Sequence, residues 1–152
     1  MWNKKKARQV SDVYLLDTDH MTLLERGGAA SEAIKAKLRQ VPQDDIATTI
    51  ISYEEQTRGW LARIASLSDA SLQAVHYLQL KRQLQNYCRV AVVDFDQQAV
   101  QEFMTLRQAK LRLGTMDLKI AAIALAHRAT LLTRNSSDFG KVPNLTIEDW
   151  SI

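Results

Sequence analysis

Cysteine occurs once, at Cys88, so no internal disulfide can form in this chain of 152 residues. That suits a reducing compartment, and no Cys/His cluster has the spacing of a zinc site. Only two prolines, Pro42 and Pro143, and five glycines punctuate the sequence, which leaves no low-complexity linker and no internal repeat. Long apolar runs are missing too. The longest, Ile120–Ala126, is far too short to span a bilayer. Lys4, Lys5, Lys6 and Arg8 imitate the basic start of a signal peptide, but no adequate apolar stretch follows and Asp12, Asp17 and Asp19 interrupt the region. The protein therefore reads as cytoplasmic, with no membrane partner. Neither charge sign dominates: Lys+Arg is 20 against 17 for Asp+Glu, a net +3. This permits a polyanionic partner without requiring one. What remains is an ordinary globular composition, with 46% hydrophobic residues. It reads as a loose basic tail at residues 1–10 and a single domain at 11–152, large enough to bury a core.

Short apolar runs alternate with helical patterns along the chain. Val13–Leu16 ends at Asp17, is too short for a helix, and reads as a buried strand. A short helix is expected over His20–Arg26, stopped by Gly27 and Gly28, and another over Ala29–Gln40. Asp45–Ile51 is rich in β-branched residues and predicts a second strand. Ser52, with Glu55 three residues on, matches a capping box that opens the next helix. A further helix runs from Ser68–Asp69 to about Tyr87, followed by a strand at Arg89–Phe95 and a helix from Asp96 to Leu113, ended by Gly114. Met116–Arg128 is an apolar, alanine-rich helix that reads as buried. Thr130–Thr133 and Leu145–Trp150 complete the strands. Such alternation predicts an α/β fold: a mostly parallel central sheet flanked by helices on both faces, with its ligand site beyond the carboxyl ends of the strands.

Acids near strand ends then become the candidates. Asp17 terminates the first strand, Glu55 lies in the first turn after the second, and Asp117 lies in the first turn of the apolar helix. Asn135 follows the fourth strand. Singly, each acid has a plainer explanation: a turn residue, a capping-box acid, a favourable first-turn acid. Gathered at one sheet edge they would repel one another unless a cation neutralised them. A hard divalent ion such as Mg²⁺ or Mn²⁺ takes oxygen ligands, keeps several waters and suits phosphodiester hydrolysis.

These residues, in their local contexts, resemble the PIN-domain family and specifically its VapC-type toxin ribonucleases. The first match is YLLDTDHMTLLERG, Tyr14 to Gly28, and the second TTIISYEEQTRGW, Thr48 to Trp60, where a glutamate four residues before a glycine selects Glu55 over Glu54. The third runs from Leu113 to Trp150, with an aspartate-opened alanine-rich helix and a DF…VP.L…DW ending. The resemblance implies a PIN-like fold and a Mg²⁺- or Mn²⁺-dependent endoribonuclease, the toxin of a type II toxin–antitoxin module. It implies Asp17 and Asp117 as direct metal ligands, Glu55 as ligand or water-orienting base, and Thr18 as a supporting hydrogen-bonding residue. The family's fourth acid falls where this chain has Asn135, with Asp138 nearby in an Asp-Phe context that reads as structural. The same resemblance implies an antitoxin that blocks the acidic groove with a peptide, and homodimerisation.

Asp19 fits a helix N-cap as well as a metal approach, and His20 is a site-edge candidate. Arg112 and Lys119 could contact RNA phosphates, while Arg107 and Lys110 fit a solvated helix face slightly better. His76 and His127 read as ordinary helix residues, Trp60 and Trp150 as core or interface residues, and Cys88 as buried. Two rival functions stand beside the nuclease. One is a haloacid-dehalogenase-type phosphatase with Asp17 as nucleophile, although Thr133–Arg134–Asn135 replaces the acidic pair it expects. The other is a PIN fold that binds RNA or protein without cutting, a reading kept open by Asn135.

Overall fold

Strands of only three or four residues form the frame of the computed structural model, which describes residues 13–152. They are β1 (Tyr14–Leu16), β2 (Ile46–Thr49), β3 (Ala91–Val93), β4 (Thr130–Leu132) and β5 (Thr146–Glu148), all parallel, in the order β3-β2-β1-β4-β5. The basic segment at residues 1–10 lies outside the described residues. Seven α-helices are found among the described residues: α1 (Thr18–Arg26), α2 (Ala29–Leu38), α3 (Ile50–Ser66), α4 (Ala70–Cys88), α5 (Gln97–Gln108), α6 (Thr115–His127) and α7 (Ser136–Phe139). The α/β expectation is met, with helices on both faces of the sheet.

Period-two alternation divides the core. Leu15 and Leu131 face one layer, with Ala99 and Leu106 of α5 and Leu118 to Ala124 of α6. Leu16 and Leu132, one residue on, face the other, with Met21 and Leu23 of α1, Ile34 of α2, Tyr87 of α4 and Trp150. All four leucines are at most 2% exposed, so each contributes roughly 1.5–3 kcal/mol through burial. In strands this short, that outweighs the few ladder hydrogen bonds in setting the register. Alpha-helix α6 is apolar nearly all round because it is enclosed between the sheet and α5. It ends at Arg128, which adopts a left-handed conformation (φ 51°, ψ 37°).

Topology places the site. The chain fills the sheet outward from β1 through β2 to β3, then returns to the other side of β1 for β4 and β5. The order therefore reverses between β1 and β4, and the carboxyl ends of those strands border a crevice. Helices α1, α3 and α5, which each directly follow a strand, start at that edge.

Several boundaries differ from the sequence expectation. Thr49, not Ser52, is the N-cap of α3: its hydroxyl accepts the Ser52 N–H at 3.1 Å. The strand stops at Thr49, and Ile50 and Ile51 already belong to the helix, because a satisfied cap outweighs β-branched propensity there. Alpha-helix α5 ends at Gln108 rather than Leu113, with Lys110 at φ 52° turning the chain into a loop before Gly114. The short helix α7 was not anticipated; Asn135 caps it by accepting the Asp138 N–H. Cys88 is exposed rather than buried, since the inward face of α4 runs through Gln83 and Tyr87.

The revised cap makes a simple test. Thr49→Ala should lower the stability measured by urea unfolding by about 1–2 kcal/mol. Ser52→Ala, which loses one hydroxyl contact, should lower it by about 1 kcal/mol or less. The opposite ranking would return the cap to Ser52.

Candidate active site

Asp17 is fixed from both sides of its backbone. Its N–H donates to the Leu132 carbonyl at 3.1 Å, extending the β1–β4 ladder by one residue, and its own carbonyl accepts the Met21 N–H at 3.1 Å. The carboxylate is the N-cap of α1: Oδ1 accepts the His20 N–H at 2.7 Å. The residue is only 5% exposed. A buried carboxylate is tolerated here because the positive end of α1 faces it and the His20 N–H donates to it.

Glu55 arrives from the second turn of α3 rather than the first, because the helix already begins at Ile50. The Thr18 hydroxyl donates to Glu55 Oε1 at 2.7 Å. One turn further along α1, and at the next residue of α3, Gln56 Nε2 donates to the Thr22 hydroxyl at 2.9 Å. These two bonds clip α1 to α3 and carry Glu55 to the residue after Asp17. Because the cap is Thr49, Glu55 is not consumed in a capping box and is left to the crevice.

Asp117 comes from the first turn of α6 and is half-buried. Burial, then the charges of Glu55, Asp138 and Asp17, push its pKa up to about 6. The structure thus brings Asp17, Glu55 and Asp117 within electrostatic reach of one another at the carboxyl edge of the sheet. Oxygen donors carrying mutually repelling charge are the donor set of a hard divalent cation.

Other residues fall differently from the sequence reading. Asn135 is near the crevice, but its side chain is occupied: Oδ1 caps α7 and accepts from Ser137, while Nδ2 donates to Asp138 Oδ2 at 3.0 Å. Asp138, ranked below Asn135 from sequence, is the acid that Asp117 feels. The hydrogen bond from Asn135 and one from Lys141 hold Asp138 below the usual carboxylate range. Asp19 is not the N-cap. It forms a side-on fork with Arg134, at 2.6 Å from Nε and 3.0 Å from Nη2. Asp17, Asp19 and His20 offer ligand atoms within 4.8 Å of one another, yet that fork and the contacts of the His20 ring already engage two of the three. Arg134 was not singled out from sequence, although its place just past β4 on the carboxyl edge was the available signal.

The proposed RNA contacts separate. Lys119 lies over the rings of Phe95 and Phe103, at 5.7 and 6.0 Å from their centroids. Two residues beyond Asp117, it points round the helix toward α5 and away from the carboxylates. Arg112 sits in the exposed loop before α6, its carbonyl accepting from Lys141 Nζ at 3.5 Å. Trp150 is core, 6% exposed and packed on Tyr14 with centroids 4.7 Å apart. A cavity of about 440 Å³ lies apart from these carboxylates, toward the amino ends of β2 and β3, between Leu16, Met21, Leu24, Leu38, Ile46 and Val90.

Comparison with known proteins matches residues 14–145 to the family model described as PIN domain. The sequence is 38% identical to ribonuclease VapC2 of Rickettsia felis over 66 residues, which is 41% of this chain and 49% of that relative. It is 26% identical to ribonuclease VapC1 of Haemophilus influenzae over 144 residues, covering 91% of this chain and 98% of the relative. Among solved structures, the fold is similar to VapBC2 of Rickettsia felis bound to a promoter DNA fragment, with a TM-score of 0.66 and 23% identity over 91% of this chain and 98% of that one. It is also similar to VapBC-1 of nontypeable Haemophilus influenzae, with a TM-score of 0.68 and 23% identity over 92% and 99% of the two chains. A toxin–antitoxin complex from Klebsiella pneumoniae gives 0.65 and 25%, over 90% and 97%.

The raised Asp117 makes stability depend on pH. With a folded pKa of about 6 and an ordinary unfolded value, the unfolded chain binds fewer protons between the two. Stability contributed by the protonated form is full below the unfolded pKa and is lost as pH rises toward 6. In chelator-treated protein, Asp117→Asn should therefore exceed wild type in unfolding free energy at pH 7 by about 1–2 kcal/mol after solvent screening. The difference should vanish near pH 4. A constant difference across that range would show that burial and the neighbouring charges do not raise this carboxyl's pKa.

Proposed function

The chain belongs to the PIN-domain family, and from that premise we propose that it is a divalent-cation-dependent endoribonuclease, the toxin of a VapBC-type pair. The observation that carries this is Asp117, half-buried and pushed up to a pKa of about 6 against Glu55, Asp138 and Asp17. Support comes from relatives named ribonuclease VapC and from similar folds solved as VapBC or toxin–antitoxin complexes. The reading takes residues 11–152 as one PIN unit. Its substrate is RNA, its protein partner a cognate antitoxin, and its assembly a homodimer. No helix of the described residues is long and apolar enough to cross a membrane, and the proposed setting is the cytoplasm.

In this reading Asp17 and Asp117 hold Mg²⁺ or Mn²⁺, with Glu55 as ligand or base. A divalent cation held there supplies positive charge to the phosphate and makes water more acidic. The chain's own residues do the rest. Thr18 holds Glu55 through Oε1, so the other oxygen remains to orient water and take its proton. The water oxygen bonds to phosphorus as its proton passes to Glu55, the bond to one ribose oxygen breaks, and that oxygen takes a proton from solvent. Asp17, fixed by sheet and helix together, keeps the group registered on the carboxyl edge, as positioning requires.

The phosphatase reading loses its ground with the family assignment, and β4 does lead into Arg134 and Asn135 rather than an acidic pair. One observation favours the non-cutting PIN module: Asn135, at the fourth-acid position, spends its side chain capping α7. A single assay decides between cutting and binding. Purified chain freed of antitoxin should cleave structured RNA with Mg²⁺ or Mn²⁺ and stop with chelator. Asp17→Asn, Asp117→Asn and Glu55→Gln should each lower the rate by about 10²-fold or more. Equal rates in wild type and the aspartate variants would remove the nuclease assignment.

A further inference from the structure

His20 is fully buried, at 0% exposure, yet one of its ring nitrogens has no hydrogen-bond partner among the described residues. Its Nε2 accepts the backbone N–H of Trp150 at 3.3 Å. An amide N–H can only donate, so Nε2 carries the lone pair and, in the neutral ring, Nδ1 carries the proton. That proton points into the protein interior with one oxygen near it: Nδ1 lies 3.4 Å from Asp17 Oδ1. The same Oδ1 already accepts the backbone N–H of His20 at 2.7 Å. Both groups that address this oxygen therefore belong to one residue. Asp149 Oδ1 is 3.7 Å from Nε2, but it is engaged by the N–H and hydroxyl of Ser151. An unpartnered buried N–H is costly, so its presence beside a carboxylate calls for a use.

We infer that His20 is a positioning residue for Asp17, reserving Oδ1 for the protein so that Oδ2 alone is presented to the cation. This rests on the reading of Asp17 as a metal ligand. Turning the carboxylate would break the α1 cap and strip the ring N–H of its oxygen at once. The ring also joins two distant parts of the chain, because Trp150 fixes the tautomer that Asp17 needs. Neighbours that orient a ligand in this way typically change metal affinity by 10–100-fold when lost.

Two substitutions separate the two ends of the ring. In His20→Asn the side-chain amide can donate to Asp17, but the acceptor for Trp150 is lost. In His20→Gln the amide oxygen can accept from Trp150, but the donor to Asp17 is lost. Mn²⁺ binding to chelator-treated, antitoxin-free protein is read by electron paramagnetic resonance, with urea unfolding alongside. The expected result is a split. His20→Gln keeps most of its stability and binds Mn²⁺ about 10-fold more weakly; His20→Asn is less stable and binds within about threefold of wild type. Affinity losses that simply follow stability in both variants would make His20 a structural plug and overturn the inference. Asp17→Asn is the control for the underlying reading. If it binds Mn²⁺ like wild type, the ligand assignment fails; if it loses Mn²⁺ while His20→Gln does not, only the role of His20 fails. Nitrogen NMR of the wild-type imidazole gives a reading independent of any variant: a proton on Nε2 instead of Nδ1 would also overturn it.

Discussion

A carboxylate buried at the end of a central strand is the constraint around which this molecule is arranged. Three structures meet at Asp17 in the interior. The β1–β4 ladder holds its N–H, the first turn of α1 supplies its carboxylate with a donor, and the His20 ring lies against the same oxygen. Removing any of these leaves a polar group without compensation in a low-dielectric setting, where the penalty is large. The position is correspondingly over-determined, and Glu55 and Asp117 are located relative to it.

The second consequence of that arrangement is the character of the α1–α3–α4 contact. It is stitched by polar pairs: Thr18 to Glu55, Thr22 to Gln56, Thr57 to Gln83 and Glu25 to Asn86. Burial raises the pKa of Glu25, with the Asn86 hydrogen bond opposing it, and burial likewise raises that of Tyr87, reinforced by the charges of Glu25, Glu55 and Asp17. On α4 the inward positions include glutamines while Leu72, Val75 and Leu78 stay more than 45% exposed. An apolar pattern read along α4 would therefore place the wrong face inward. The opposite layer, around α6, is apolar throughout and does not have this ambiguity.

Much of the fold was legible because its signals were local. The Leu15–Leu16 alternation, the Gly27–Gly28 stop and the alanine-rich stretch before β4 each report their own element. Asp17, Glu55 and Asp117 were legible because they fall at strand ends or helix starts, where topology alone assigns an edge. The cap of α3 was not, since Thr49 and Ser52 both carry hydroxyls and only backbone geometry distinguishes them. Nor was the pairing of Asp19 with Arg134, which depends on β1 and β4 being neighbours across more than a hundred residues. Asp138 was underrated for a similar reason: its link to Asp117 is spatial, whereas its Asp-Phe setting in sequence suggested only packing.

The order in which the elements occur along the chain has a bearing on synthesis. Asp17 and Glu55 lie in the first half, but Asp117 opens α6, and β4, which receives the Asp17 amide, comes later still. A ribosome-bound chain that ends before β4 lacks both the third carboxylate in its packed setting and the strand that fixes the first. The final residues add a further condition, since Trp150 supplies the amide that sets the His20 ring. The acidic edge is thus assembled only after Trp150 has emerged, so shorter translation products carry its parts without its geometry.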